Sequence, residues 1–405
     1  MNAFGAADIV DVVMVGASGY GAFYINMFLN MFRDGAGKGA RICAVVDPFA
    51  ASSPHLDWIE RNWIPMYDSL EDFYGAGGHA DLVVISSPIQ FHWQQSKVAM
   101  EHGAAVLCEK PLCANAADAE SLYEIWRKHG VPFGVGFQWS FSPTMVALKR
   151  DIMDGVFGKP LFLKTLVSWP RDDKYYDPRG WKGKRKDKDG SAVNDSIAMN
   201  ATAHYLHNML FILGETADRS ACPASVSGSM YRARDIETFD TCFLRGTLAN
   251  GCGLLYCVSH VAERLINPIF EYRFEKGTVT FREDTDGVAR AVFADGRVKE
   301  YGRPLSDAEV RVKLAVMIEA ARTGAQPDCG IRAIMPHLMV CDAMLADMEI
   351  QPFPPELIVT TTEPTSLYVK GLDDVMVKFY ETEQYPDAGA VDWMAPERQA
   401  SLRQP

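Results

Sequence analysis

Residues 12–21 read VVMVGASGYG, an apolar run that turns through closely spaced glycines into what reads as a helix. In a G-x-G-x-x-G dinucleotide loop the first glycine makes the tight turn, the second admits a pyrophosphate, and the third lets strand and helix pack closely. Gly16 and Gly21 occupy the outer positions, while Ser18 stands in the middle one with Gly19 beside it and Tyr20 following. Backbone N–H groups at such a helix start suit a phosphate. The next apolar run, RICAVVD, ends in Asp47, 31 residues after Gly16. A carboxylate there accepts hydrogen bonds from ribose hydroxyls and repels a 2'-phosphate. Pro48 and Phe49 bring no positive charge, so the expected cofactor is NAD, with NADP less suited.

A second set of reactive types lies in DLVVISSPIQFHWQQSKVAMEHGAAVLCEKPL, residues 81–112. Lys110 follows a strand-like run, and an ammonium at the carboxyl end of a parallel strand can hold a substrate oxygen. A third set is NDSIAMNATAHYLHN, residues 194–208. Drawn as a helix it places Asn200, His204 and His207 on one polar stripe opposite Leu206, Met209, Leu210 and Leu213, with Gly214 as a stop. The preceding loop, 168–190, carries Trp169, Tyr175, Tyr176 and Trp181 among basic residues that include Lys182. Aromatic faces suit sugar rings, and the cations suit hydroxyls or an anionic group.

The elements that must position these residues fall into two patterns. Over the first third, strand-like runs at 9–16, 41–47, 81–87, 104–110 and 131–137 alternate with helical stretches, which calls for a doubly wound parallel sheet. After about residue 160 longer β-rich runs are joined by LANG, FEKG and ADGR turns, which predicts a mainly antiparallel sheet. The expected fold class is α/β plus α+β. A dinucleotide-binding domain is expected over 1–140, a substrate-binding and self-association domain over 141–385, and a loose tail over 386–405.

In this order and spacing the chain resembles the Gfo/Idh/MocA oxidoreductases. Glu109-Lys110-Pro111 matches that family's hallmark, His92 matches the histidine of the preceding helix, and Ser87-Pro88 matches its turn over the cofactor. GVGFQWSFSP (134–143) and VFGKPLFL (156–163) look like its domain crossover and first substrate-domain strand. The resemblance implies a Rossmann-type N-terminal domain and cofactor contacts from Ser87, Pro88, His92, Glu109, Lys110 and Gln138. It places Lys110 near the nicotinamide and the substrate. The family carries an aspartate and, four residues later, a histidine. Counting back from Gly214 puts Asn200 and His204 there; counting forward from Gly190-Ser191 puts Asp195 at the aspartate. Both counts stay open, with His204 taken as the base and Trp181-Lys182 as the family's Trp-Arg pair. The implied activity is NAD-dependent oxidation of a hydroxyl on a sugar, cyclitol or related polyhydroxy compound. Glycoside cleavage through transient oxidation with retained NAD, or ligand sensing without catalysis, are the alternatives.

Bulk properties set the partners. The 405 residues carry a formal net charge of −12, which argues against nucleic acid and anionic membranes. No run approaches a membrane span, and the N-terminus does not read as a signal peptide, so the cytoplasm is expected. Nine cysteines without a CxxC pair read as reduced structural thiols, and no metal is expected. A small polyhydroxy substrate is the expected partner, with a homodimer or homotetramer formed through an open face of the second sheet.

Overall fold

The computed structural model describes residues 9–33, 39–362, 365–386, 389 and 391–403. In chain order the first elements are β1 (Val10–Val15), α1 (Tyr20–Arg33), β2 (Ala40–Val46), α2 (Leu56–Arg61), β3 (Met66–Tyr67), α3 (Leu70–Gly75), β4 (Leu82–Ile85), α4 (Ile89–Glu101), β5 (Ala105–Cys108), α5 (Ala116–His129) and β6 (Phe133–Val135). There follow α6 (Pro143–Met153), β7 (Pro160–Ser168), α7 (Ala203–Phe211), β8 (Pro223–Arg232), β9 (Thr241–Leu248), β10 (Gly253–Ser259), β11 (Ile266–Phe274), β12 (Gly277–Arg282), β13 (Ala289–Phe293) and β14 (Val298–Gly302). The chain closes with α8 (Asp307–Thr323), α9 (Ile331–Asp347), β15 (Ile350–Pro352), β16 (Ile358–Thr362), β17 (Thr365–Val369), α10 (Leu372–Thr382) and β18 (Arg398–Ala400). Two compact units result. Unit 1 comprises Met1–Cys113, Ala117–Phe141 and Asp307–Arg332; unit 2 comprises Ala114–Ala116, Ser142–Ser306 and Ala333–Pro405.

Unit 1 is built on a six-stranded parallel sheet in the order β3-β2-β1-β4-β5-β6. Its central strands β4 and β5 are buried throughout, as apolar runs covered on both faces must be. The order reverses between β1 and β4, and ligands of such sheets bind beside the carboxyl ends of strands at that point. There the chain just past β1 and β4 is tied to the neighbouring strand ends: Gly16 N donates to Val46 O of β2 at 2.9 Å, and Ser86 N to Val15 O of β1 at 2.8 Å. A single boundary near residue 140 does not divide the chain, because α8 and the residues after it return to unit 1. Met317 lies against Gly134, where an added Cβ would meet its sulfur at 2.6 Å, and Val135 N donates to Cys329 O at 2.8 Å.

Unit 2 is built on a ten-stranded sheet in the order β14-β13-β12-β11-β7-β10-β9-β8-β15, with β18 also on β8. The LANG, FEKG and ADGR turns close the β9–β10, β11–β12 and β13–β14 antiparallel pairs. Parallel pairing occurs at β7–β10 and at β8–β15. Over β7–β10 the face expected to be open is covered, while β12 and β13 alternate buried and exposed residues. Leu255 and Cys257 of β10 enter one core with Phe379 of α10 and Met394, while Tyr256 on the opposite side hydrogen-bonds Thr202 at 2.6 Å. The stretch after 385, expected to be loose, is packed for the same reason: Met394 is 3% exposed, and Arg398–Ala400 pairs with β8. Burying Leu372, Met376 and Phe379 of α10 stabilises that face by about 1.5–3 kcal/mol each. Among the described residues no helix is long and apolar enough to cross a membrane. All nine cysteines are free, seven of them buried, and burial pushes the Cys252 thiol up to about 12.

The closest backbone approach in unit 1 is at Gly21, where an added Cβ would lie 2.3 Å from Gly16 O. Gly21→Ala should therefore cost about 1–3 kcal/mol in urea unfolding by forcing the strand and helix apart. At Gly19 an added Cβ would meet nothing within 4 Å, but the backbone sits at φ +55°, so Gly19→Ala should cost less, about 1 kcal/mol. Equal midpoints for Gly21→Ala and the unmodified protein would show that the loop can yield.

Candidate functional site

In unit 1 the glycine-rich loop has the conformation its composition demands. Gly16 and Gly19 take φ of +92° and +55°, values that favour glycine, and α1 begins immediately at Tyr20. Asp47 closes the loop from the end of β2: one carboxylate oxygen accepts from Ala17 N and the other from Phe49 N, both at 2.8 Å. Ser18 Oγ lies 3.2 Å from Ser52 Oγ. Each Asp47 oxygen keeps a second lone pair, so the residue can serve both as a turn former and as a ribose acceptor. With the open space beside Gly19, these features fit a dinucleotide.

The end of β5 is held by a network that the sequence reading missed. Glu109, 6% exposed, pairs at 2.5 Å with Lys313 of α8, which is fully buried. Tyr24 donates to the same carboxylate at 2.7 Å, Lys110 N donates to it at 3.1 Å, and Lys313 reaches Tyr20 Oη at 3.1 Å. Gly136 makes room, since a Cβ there would meet Glu109 Oε1 at 2.4 Å. Burial alone would raise the Glu109 pKa, but Lys313 and then Lys110 outweigh it and hold the carboxyl below its usual range. Burial would lower the Lys313 pKa, and Glu109 outweighs that and raises it. Glu109 thus spends its side chain on supporting the strand end, and the half-buried Lys110 is placed by its backbone.

His92 acts as a clasp. Its Nδ1 lies 2.8 Å from Pro111 O and its Nε2 2.8 Å from Ser87 O, which ties the turn after β4 to the turn after β5. Burial lowers its pKa despite both carbonyls, and a neutral ring can donate to only one of them. Ser87 Oγ donates to Gln95 at 2.6 Å, Pro88 precedes α4 in extended conformation, and Gln138 is half-buried in the turn after β6.

In unit 2 the 194–208 stretch departs from the expected helix. α7 begins only at Ala203, so Asn200 belongs to the preceding turn, whose start is closed by Met199 N donating to Ser196 Oγ at 3.2 Å. The polar stripe is not formed. Asn200 is off the helix, His207 is fully buried, and its pKa is driven well below the ordinary value by burial, His337 and Lys149. Of the two histidines His204 alone is half-buried, in the first turn. Asp195, 2% exposed, accepts from Gly183 N at 2.6 Å and from Thr238 Oγ1 through its carbonyl.

The aromatic loop gathers around Tyr175. Lys182 Nζ lies 3.8 Å from the Tyr175 ring centroid, and the Arg171 guanidinium lies 4.8 Å from it on the way to Trp169. Tyr176 Oη is 2.6 Å from His260 Nδ1, and the Tyr175 and His260 rings meet edge-on at 5.3 Å. Trp181 is half-buried in the loop beside Lys182 and outside this ring cluster. Arg171 and His260 were not singled out in the sequence; a histidine just past β10 was the available signal for one of them.

Residues 10–137 match the model of the Gfo/Idh/MocA oxidoreductase family, NAD-binding Rossmann fold. The 2,7-anhydro-N-acetylneuraminate hydratase of Mediterraneibacter gnavus is 29% identical over 181 residues, 44% of this chain and 44% of that protein. Inositol 2-dehydrogenase of Corynebacterium glutamicum is 31% identical over 166 residues, 41% of this chain and 47% of that protein. The chain thus spans under half the length of these curated relatives. Among solved structures, the WlbA dehydrogenase from Bordetella pertussis in complex with NADH and UDP-GlcNAcA aligns with a TM-score of 0.65 at 21% identity, over 84% of this chain and 95% of that one. That likeness is one of fold.

The Glu109–Lys313 pair sets a pH signature. Replacing Lys313 by methionine leaves a buried carboxylate without its cation and should cost about 3–5 kcal/mol at pH 7 in denaturant unfolding. Glu109's lowered pKa stabilises the native protein above the unfolded value near ~4.3, and that contribution is lost as pH falls through the folded value. Lys313's raised pKa contributes below ~10.4 and is lost as pH climbs through its folded value. The gap between Lys313→Met and the unmodified protein should narrow on going from pH 7 to 4. A constant gap would assign the loss to packing.

Proposed function

We infer from membership of the Gfo/Idh/MocA oxidoreductase family, to which residues 10–137 of this chain belong, that the protein is an NAD-dependent dehydrogenase of a sugar, cyclitol or related polyhydroxy compound. The observation that carries this reading is the end of β5, where a buried ion pair, two tyrosines and the His92 clasp hold the backbone of Lys110 at the carboxyl edge of a sheet preceded by a dinucleotide-type loop. Amides at the start of α1 hold the pyrophosphate, and Asp47 accepts from the ribose hydroxyls while repelling a 2'-phosphate. Bound NAD supplies the hydride acceptor. Lys110 holds and polarises the substrate oxygen, and His204 takes the hydroxyl proton, for which an imidazole with an ordinary pKa near ~6.5 is suited. Asn200, or Asp195 if the forward count applies, orients the substrate, with Trp181 and Lys182 supplying contacts from the loop. The likeness to a hydratase supports a second reading, in which NAD is retained and transient oxidation serves cleavage or hydration.

A screen of sugars and cyclitols with NAD, followed by absorbance of the reduced cofactor, tests the reading directly. Net NADH with at least one polyol supports the dehydrogenase, and product without NADH supports the retained-cofactor reading. With a substrate in hand, His204→Ala should lower kcat by about 10²–10⁴ and leave NAD binding nearly intact. A larger loss in Asp195→Asn than in His204→Ala would transfer the base to the aspartate.

Cofactor choice has its own test. NAD should bind more tightly than NADP, and Asp47→Ser should narrow the ratio of the two affinities. It should also weaken NAD itself, since Ala17 N and Phe49 N lose their acceptor. Equal affinities in the unmodified protein would remove Asp47 from the selection.

A further inference from the structure

Two cations in unit 2 converge on one aromatic ring. Elsewhere in the same region Arg179 pairs with Asp177 and Arg234 with Asp173. Among the described residues neither Arg171 nor Lys182 has such a partner; both are held by the faces of Tyr175 and, for Arg171, Trp169. A π face attracts a cation but accepts none of its in-plane N–H donors, so the donors remain available. The Arg171 backbone is fixed by hydrogen bonds: its N donates to His260 O at 3.1 Å, and its carbonyl accepts from Ser366 Oγ at 2.7 Å and from Arg234.

The surroundings add enclosed polar nitrogens without partners. Arg171 Nε and His260 Nε2 are both enclosed and have no hydrogen-bond partner in the protein. His260 is 1% exposed, and burial, followed by the charges of Arg171, Arg234 and Lys182, drives its pKa well below the ordinary value. If Nδ1 accepts the Tyr176 hydroxyl proton, the ring N–H is on Nε2 and is a donor. Three acids lie nearby. Asp173 is on Arg234, Asp240 accepts from Ala233 N and Arg234 N, and Asp195 accepts from Gly183 N while offsetting part of the Lys182 charge.

We propose that Arg171 and Lys182 form a subsite for an anionic group, a carboxylate or a phosphate, carried by the polyhydroxy ligand. A guanidinium presents paired donors that match two oxygens of either anion, and the ammonium adds a second charge across the Tyr175 face. An acceptor-rich group also gives the enclosed Arg171 Nε–H what the protein does not. The word substrate rests on the dehydrogenase reading; the anion subsite rests on this cluster.

Calorimetric titration of the full chain with D-glucuronate, D-glucose 6-phosphate and D-glucose provides the test. At least one anion should bind roughly tenfold or more tightly than glucose, and which one it is distinguishes carboxylate from phosphate. The preference should disappear in the double variant Arg171→Gln with Lys182→Gln, and persist in Arg171→Lys with Lys182→Arg. NAD binding in each variant serves as the control for folding. Affinity for both anions no greater than for glucose, or a preference that survives the neutral variant, overturns the subsite. An anion preference without NADH from any polyol would instead count against the dehydrogenase and leave the subsite standing.

Discussion

The buried pair between Glu109 and Lys313 is the constraint on which the rest of unit 1 depends. Taking two charges out of water is costly, and such a pair adds little net stability compared with apolar residues of the same size. What it does is fix a geometry. One carboxylate collects the ammonium of Lys313, the hydroxyl of Tyr24 and the amide of Lys110, and the same ammonium reaches Tyr20 just after the glycine loop. The loop after β1, the end of β5 and helix α8 are therefore one polar cluster. The end of β5 is complete only when a segment some 200 residues later in the chain has returned to it, as the 204-residue separation of the pair records.

Local patterns made the strands and the loop legible. Continuous apolar runs at β1, β2, β4 and β5 and the positive-φ glycines at 16 and 19 are properties of neighbours in sequence, and they were found to within a residue or two. Lys313 was not legible. It sits in an amphipathic run where a lysine ordinarily faces water, and only the distant Glu109 makes its burial possible. The same reason hid the part Glu109 plays within the fold, where its carboxylate gathers Lys313, Tyr24 and the Lys110 amide. The start of α7 was misplaced because helical periodicity continues back through 196–202, a turn in which Ser196 caps the backbone without extending the helix.

Unit 2 shows how later chain segments change the meaning of earlier ones. A large antiparallel sheet ordinarily leaves one face to water or to a partner. Here β10 is buried on both faces, because the segment that includes α10, Trp393 and Met394 lies over Leu255 and Cys257. Trp393 meets Tyr231 edge-on at 5.3 Å and Phe353 at 5.1 Å, so the cover is an aromatic core in its own right. No periodicity within the sheet strands announces this, since the residues that need covering look the same whichever chain supplies the cover.

The two candidate positions for the family's aspartate can be compared on what each side chain is already doing. Asp195 is almost wholly enclosed, one oxygen accepts from Gly183 N, and its charge is felt by Tyr175, Tyr176 and Lys182. A carboxylate in that setting organises the loop and balances its cations. Asn200 is half-buried in the turn that leads into α7, one helical turn ahead of His204, and its backbone rather than its side chain carries the turn through Asn200 N to Ser196 O at 2.9 Å. Its amide can both donate to and accept from a hydroxyl, but it has no proton affinity to offer a reacting alcohol. Of the two histidines in 194–208, His204 joins partial exposure to a group that can take a proton, whereas His207 is fully buried.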